Sequence, residues 1–232
     1  FALVLLLPAD SFDAWGWRLP FLAAFPLLSI ALYIRFKVEE SPVFTQLVQQ
    51  ETRAKVPALQ VFTKAWGRLL VAIAAALLGV GGFYMITTFV VSYGTNTLGV
   101  DRGVMVNATL IAAVAQIPMT IFSGRLAERF GPGRMTVLGG LATAIAAFPL
   151  FWLIDTQNPI GIIAAVTIGI LLITLAYAVT GALLTDLFPP HLRYSGVALG
   201  YNLAGAISGF LPLIATAFLA ASSNQSWSAA LL

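Results

Sequence analysis

The stretch GRLAERFGPGR, residues 124–134, gathers Arg125, Glu128, Arg129 and Arg134 into a chain that is only 9% charged. A second cluster, TDLFPPHLRYSG, adds Asp186, His191 and Arg193. Glu128 and Arg129 are suited to charge-assisted hydrogen bonds with a neighbouring helix end. Between the clusters, the residue types able to bind something polar are neutral: Tyr84, Thr87, Gln116, Tyr177, Tyr201 and Asn202. The chain has no cysteine and a single histidine. That removes a disulfide framework, a thiolate metal site and a His-Glu-x-x-His pair. No metal or cofactor is called for.

The elements that position these residues follow from composition. Hydrophobic residues make up 59% of the chain and mean hydropathy is +0.94, whereas soluble domains are roughly 25% charged. Charges divide the sequence into neutral stretches at 69–100, 103–124, 135–154, 156–185 and 194–232. A bilayer core of about 30 Å needs roughly 20 apolar residues per helix, and each stretch supplies one. The expected spans are 17–35, 68–92, 103–123, 135–154, 160–183 and 195–220, with partial ones at 1–7 and from 227. The fold class is all-α, a polytopic helix bundle. Barrel strands would alternate over about ten residues between turns, and no such rhythm occurs. The chain starts without Met inside FALVLLLP, with no basic n-region of a signal peptide, and stops at WSAALL, where another span begins. Both ends are expected to be cuts in a longer protein.

Alternate connections differ in charge. Residues 36–67, 124–134 and 184–194, with their flanks, hold Arg35, Lys37, Arg53, Lys55, Lys64, Arg68, Arg125, Arg129, Arg134 and Arg193, ten of the twelve basic residues. The positive-inside rule makes this side cytoplasmic. The five tryptophans lie near span ends, where indoles favour the interface. Basic residues placed between apolar spans also answer to a lipid bilayer as partner, not to nucleic acid. Residues 36–67 read as a cytoplasmic linker between two helical parts, 1–35 and 68–232.

The spans differ in polarity. Span 135–154 offers only Thr136 and Thr143, and 17–35 only Ser29 and Tyr33, so both suit lipid. At about 100° per residue, Thr109, Gln116 and Thr120 share one helix face, and Tyr201, Gly205, Ser208 and Pro212 another. Polar side chains in a membrane usually face the bundle interior or a wet cavity. Interhelical glue is the competing reading, with Gly196-x-x-x-Gly200 and Gly205-x-x-x-Gly209 allowing close contact. No Asp, Glu, Lys, Arg or His lies deep inside a complete span, and Asp155 is expected at a watery span end. Nothing within these spans relays a proton across the core.

GRLAERFGPGR resembles the G-x-L-a-D-R-x-G-R-R loop motif of the major facilitator superfamily. Gly124, Leu126, Glu128, Arg129 and Gly131 match, with Glu for Asp, while Pro132 and Gly133 replace the two basic residues. Asp186-x-x-Pro189-x-x-x-Arg193 is similar to the acid-x-x-P-x-x-x-R signature of sugar-porter-like members, and EESPVF to the segment after their sixth helix. GWRLPFL, YGTNTLGV, FPLFWLID, LFPPHLRYSGVALGYNLAG and PLIAT resemble the metabolite:proton symporter branch, whose carriers take shikimate, α-ketoglutarate, citrate, proline or betaine. AYAVTGALLTDLF departs from it in lacking a Tyr-Gly-Pro-Gln cluster. The resemblance implies the end of helix 5, helix 6, the central linker, helices 7 to 11 and the start of 12. Helices 7, 8, 10 and 11 would line the cavity.

The expected function is secondary active transport of an organic acid or zwitterionic osmolyte, with protons as coupling ion and the N-terminal half of the same carrier as partner. Substrate-cavity candidates are Tyr84, Thr87, Gln116, Tyr177, Tyr201 and Asn202. Gate candidates are Gly124, Glu128, Arg129, Gly131, Asp186 and Arg193, which would form an inner-side latch of ion pairs. The alternatives are a uniporter or drug/proton antiporter of the same fold and, more remotely, a membrane enzyme or scaffold.

Overall fold

The computed structural model describes residues 8–37, 57–222 and 225–231. They fall into two compact units, one within residues 1–52 and the other within 53–232. The expected partial span 1–7 and the linker residues Glu39, Glu40, Glu51, Arg53 and Lys55 lie outside the described residues.

In the first unit, α1 (Ala24–Lys37) completes an apolar span from Gly16 to Lys37. None of its residues is buried, and Ser29 donates to its own helix at Phe25 O, 3.2 Å away. In the second unit, α2 (Pro57–Lys64) leads into α3 (Trp66–Tyr84), which continues through wider turns to Thr97. There follow α4 (Arg102–Phe130), α5 (Pro132–Asp155), α6 (Pro159–Tyr177), α7 (Thr180–Leu187), α8 (Pro190–Ala221) and the short α9 (Trp227–Ala230). Six helices in the described residues are long and apolar enough to cross a membrane. They match the six expected spans, and this is a multi-pass membrane protein.

The structure changes three local expectations. Residues 124–130 are not part of a loop, because α4 runs on to Phe130. RLAER consists of strong helix formers, and Gly131 N still donates to Ala127 O at 2.8 Å in the helical pattern. Gly124 is therefore mid-helix, and the reversal is made by Gly131 alone, at φ +87°, with Pro132 opening α5. Only glycine adopts that backbone without strain. Second, the helix expected over 160–183 breaks at Ala178–Val179, directly after Tyr177. Third, the chain after Tyr84 widens into π-helix over Met85–Val90 and Tyr93–Thr97. MITTFV is rich in β-branched residues that crowd an α-helix. Thr87 and Thr95 also spend their hydroxyls on Phe83 O (2.7 Å) and Val91 O (2.9 Å), a bond that loosens the helix.

Close packing holds α6 at the centre, with half of its span buried. A Cβ on Gly139 of α5 would stand 2.8 Å from the backbone nitrogen of Ala176, and one on Gly200 of α8 would stand 2.7 Å from Ala72 Cβ. Gly196 lies under the ring of Phe188. Small residues thus bring α5 to α6 and α8 to α3, as expected where lipid supplies no hydrophobic drive between helices. The second glycine pair behaves differently: nothing lies within 4 Å of a Cβ on Gly205 or Gly209. The face of α5 away from α6 exposes Leu138, Leu141, Ile145 and Trp152, and Thr136 and Thr143 bond only their own backbone.

Candidate functional site

Two cavities open in the second unit. One, of about 380 Å³, lies among α3, α5, α6 and α9, against residues such as Leu78, Gly82, Thr143, Gly169 and Ala230. Its hydroxyl at Thr143 is already given to Gly139 O, so it has little with which to orient a polar guest. The other, of about 410 Å³, lies between the π-helical turn and α4 and is walled by Phe83, Thr87, Val91, Thr109, Gln116 and Ile170. Small-molecule sites of roughly 300–1,000 Å³ combine apolar walls with a few convergent polar groups. The second cavity has that character.

Its polar groups arise from different elements. Thr87 comes from the π-helical turn, with its hydroxyl proton on Phe83 O and its oxygen free to accept. Thr109 donates to Val106 O at 2.8 Å. Gln116 sits two residues before Pro118, within α4. It is half-buried, and its carboxamide has no partner among the described residues. A primary amide has two donors and an acceptor, and its own helix does not satisfy them all. Thr120 shares the expected face but is exposed and donates to Gln116 O.

The remaining candidates are placed apart from this wall. Tyr177 and Tyr201 meet hydroxyl to hydroxyl at 3.1 Å, joining α6 to α8. Gly79 makes this possible, because a Cβ there would lie 2.5 Å from the Tyr177 ring. Both phenols remain partly exposed and retain hydrogen-bonding capacity. Tyr84 is exposed with no side-chain hydrogen bond among the described residues. Asn202 is exposed and donates to Ala198 O at 2.7 Å, leaving its carbonyl oxygen free. The structure thus brings Thr87 to Gln116, and Tyr177 to Tyr201. The six do not all line one cavity.

Glu128, Arg129, Asp186 and Arg193 are all exposed. The Arg193 Nε donates to Phe188 O at 3.4 Å, and the Arg129 guanidinium lies 5.5 Å from the ring of Phe130. Among the described residues no ion pair joins the four.

One polar constellation was missed. Asp155 was expected in water at a span end, but it is half-buried and accepts from Tyr93 Oη at 2.8 Å and from Ser226 Oγ. The available signal was its position: a carboxylate at a helix C-terminus opposes the helix dipole and so requires another partner.

The family model described as Major Facilitator Superfamily matches residues 3–230. The chain belongs to the major facilitator superfamily. Among curated proteins, it is 32% identical to the glycine betaine/proline/ectoine/pipecolic acid transporter of Dickeya dadantii (strain 3937), over 94% of this chain and 46% of that protein. It is 31% identical to the proline/betaine transporter of Escherichia coli (strain K12), over 92% of this chain and 45% of the relative. The shikimate transporter of the same organism is 32% identical, over 90% and 49%. The chain spans about half the length of these relatives. No solved structure matches it. In a major facilitator protein the neutral cavity and the exposed charged end acquire a common context, since both belong to surfaces of one helical bundle.

Proposed function

We propose that the chain forms part of a secondary active carrier for a small polar metabolite, an organic acid or a zwitterionic osmolyte. The observation that carries this reading is the cavity of about 410 Å³ in which Thr87 and Gln116 converge from two membrane spans. Its lining offers hydroxyls, an amide and an aromatic wall but no charge. Such a surface suits a compact solute whose own charges balance, or whose carboxylate is met by a group from a second helical bundle. The relatives named for betaine, proline and shikimate support the same class.

Transport proceeds by rocking two halves about a midplane site, with the N-terminal half of the carrier closing over this cavity. Tyr84, Tyr177, Tyr201 and Asn202, exposed in this unit, complete the site on that shared surface. Glu128, Arg129, Asp186 and Arg193 latch the inner side by pairing across to the other half, which explains why they are exposed and unpaired among themselves. The coupling ion is the proton. No Asp, Glu, Lys, Arg or His side chain sits deep within the described spans, so the titrating group is supplied by the other half.

The test is uptake of radiolabelled glycine betaine, proline and shikimate by the full-length polypeptide in proteoliposomes under an inward proton gradient. Accumulation abolished by a protonophore is the expected result. Equilibration without accumulation would replace symport with facilitated diffusion, and failure to move any probe would overturn the carrier reading.

A further inference from the structure

The site around Asp155 has no part in the cavity, yet three separate elements converge on it. Asp155 is the last residue of α5. Tyr93 opens the second π-helical stretch, 62 residues earlier, and Ser226 precedes α9, 71 residues later. Tyr93 and Ser226 are both buried. A carboxylate at this end of α5 is opposed by the helix dipole, so the helix itself gives no reason for it. The two O–H donors offset that cost and the loss of water. The geometry of Asp155 is fixed from its other side as well. The turn to α6 spans only Thr156–Asn158, with Gln157 at φ +57°, and Asn158 caps α6 by accepting from Ile160 N at 2.9 Å.

Beneath the carboxylate, Phe89 stacks on Tyr93 with ring centroids 6.0 Å apart, and Phe151 of α5 packs against both. The widened segment therefore has two faces. Phe89 and Tyr93 bind it to α5, while Thr87 and Val91, each two residues away and so on the opposite side, wall the neutral cavity. A π-helical segment gives up the α-helical i→i+4 ladder for the rare, wider i→i+5 pattern. Something outside the segment has to hold it.

We propose that Asp155, through its hydrogen bonds with Tyr93 and Ser226, is a positioning residue that anchors the outer end of the α3 span and thereby sets the Thr87–Val91 wall of the cavity. The effect on solute recognition rests on the carrier reading above; the anchor itself does not. Asp155 has no contact with solute in this scheme. It acts through the segments that Tyr93 and Ser226 belong to, and reaches the wall through Tyr93.

The test uses the full-length polypeptide with Tyr93→Phe, Asp155→Asn, Asp155→Ala and the Tyr93→Phe/Asp155→Ala pair. Amide hydrogen exchange over residues 85–97 reads the anchor whether or not solute moves. Uptake of glycine betaine, proline and shikimate reads the wall. Loss of one such hydrogen bond corresponds to about tenfold in an opening equilibrium. Exchange over 85–97 should therefore rise about tenfold in Tyr93→Phe and Asp155→Ala, and less in Asp155→Asn, which keeps an acceptor. The pair should exceed Asp155→Ala alone by less than about twofold. The KM for the probe that is transported should rise severalfold at unchanged amounts of membrane-inserted protein. Unchanged exchange in Tyr93→Phe, which keeps the ring and is expected to fold even if Asp155→Ala does not, would overturn the anchor. Faster exchange with an unchanged KM and a lower maximal rate would overturn its role in shaping the wall. A wild-type protein that moves none of the probes would refute the carrier reading, leaving the exchange result to decide the anchor.

Discussion

The two ends of the second unit use their charges in opposite ways. At the end bearing Gly131 and Phe188, Glu128, Arg129, Asp186 and Arg193 are exposed, and no ion pair among the described residues joins them. At the other end Asp101 is exposed and caps α4, while Asp155 is half-buried and held by two hydroxyls from distant parts of the chain. Charge at the first end makes no ion pair within this unit; at the second, Asp155 ties three segments together by hydrogen bonds. What holds the first end is packing, where Val61, Leu69, Leu184, Phe188 and Leu192 form a buried cluster beneath the charges.

The strongest way to break this comparison is to disturb that packing. In Gly196→Leu a new Cβ would stand within 2.4 Å of the Phe188 ring, with three further carbons beyond it. Overpacking costs typically 1–3 kcal/mol, and a ring fixed between α8 and α3 has little room to yield. The amount of folded protein recovered in detergent should fall severalfold. By contrast Glu128→Gln together with Arg129→Gln should change thermal stability by less than about 1 kcal/mol, the range of exposed ion pairs. If the neutral pair unfolds the protein as Gly196→Leu does, the charged end is structural and the comparison fails.

Next in size is a functional effect at the same end. Glu128→Lys should lower the initial rate of uptake about tenfold in proteoliposomes, with insertion and quantity unchanged, if the exposed carboxylate pairs with a cation on the other half. Normal uptake by this variant would remove Glu128 from the latch. At the cavity, Gln116→Ala should raise KM about fivefold, the scale of one hydrogen bond of about 1 kcal/mol, with a smaller change in maximal rate. An unchanged KM accompanied by loss of folded protein would make Gln116 interhelical glue.

The differing legibility of the two ends has a physical cause. Six spans and their order were readable because desolvating a charge in hydrocarbon costs several kcal/mol, so the positions of the charges delimit the helices. The charged end is readable for the same reason, although the charges of RLAER suggest a loop where its own helix propensity extends α4 to Phe130. The π-helical turns were not readable. They depend on where Thr87 and Thr95 send their hydroxyls, and a threonine reads identically in an α-helix. Nor was the Asp155 site, whose partners lie 62 and 71 residues away in segments with no pattern linking them. At the cavity, helical arithmetic placed Thr109 and Gln116 together correctly. It failed for the stripe on α8, where Tyr201 is exposed and Ser208 is fully buried, with its hydroxyl 3.4 Å from where a Cβ on Gly81 would be. Periodicity assigns a face to a helix, but the neighbour covering that face changes along its length.

The smallest expected effect lies at Asn202, and it sharpens the comparison between groups that bind their own helix and groups that bind elsewhere. Its amide nitrogen donates to Ala198 O at 2.7 Å, and the side chain is exposed. Replacing it with alanine removes a bond to the Ala198 carbonyl, which still accepts within the helix, and improves helix propensity by a few tenths of a kcal/mol. Thermal stability should therefore move by less than about 0.5 kcal/mol, the usual range for exposed positions. The carbonyl oxygen and the second amide hydrogen are the parts of Asn202 left to act on anything outside α8. If the carbonyl oxygen accepts a hydrogen bond from solute or from the opposing half, Asn202→Ala should raise KM about twofold to fivefold, while Asn202→Asp, which keeps the acceptor and loses the donor to Ala198, should stay closer to wild type. Equal KM in all three proteins would confine Asn202 to its own helix. A stability loss above about 1 kcal/mol would instead place it in a helix contact formed only when the two halves meet.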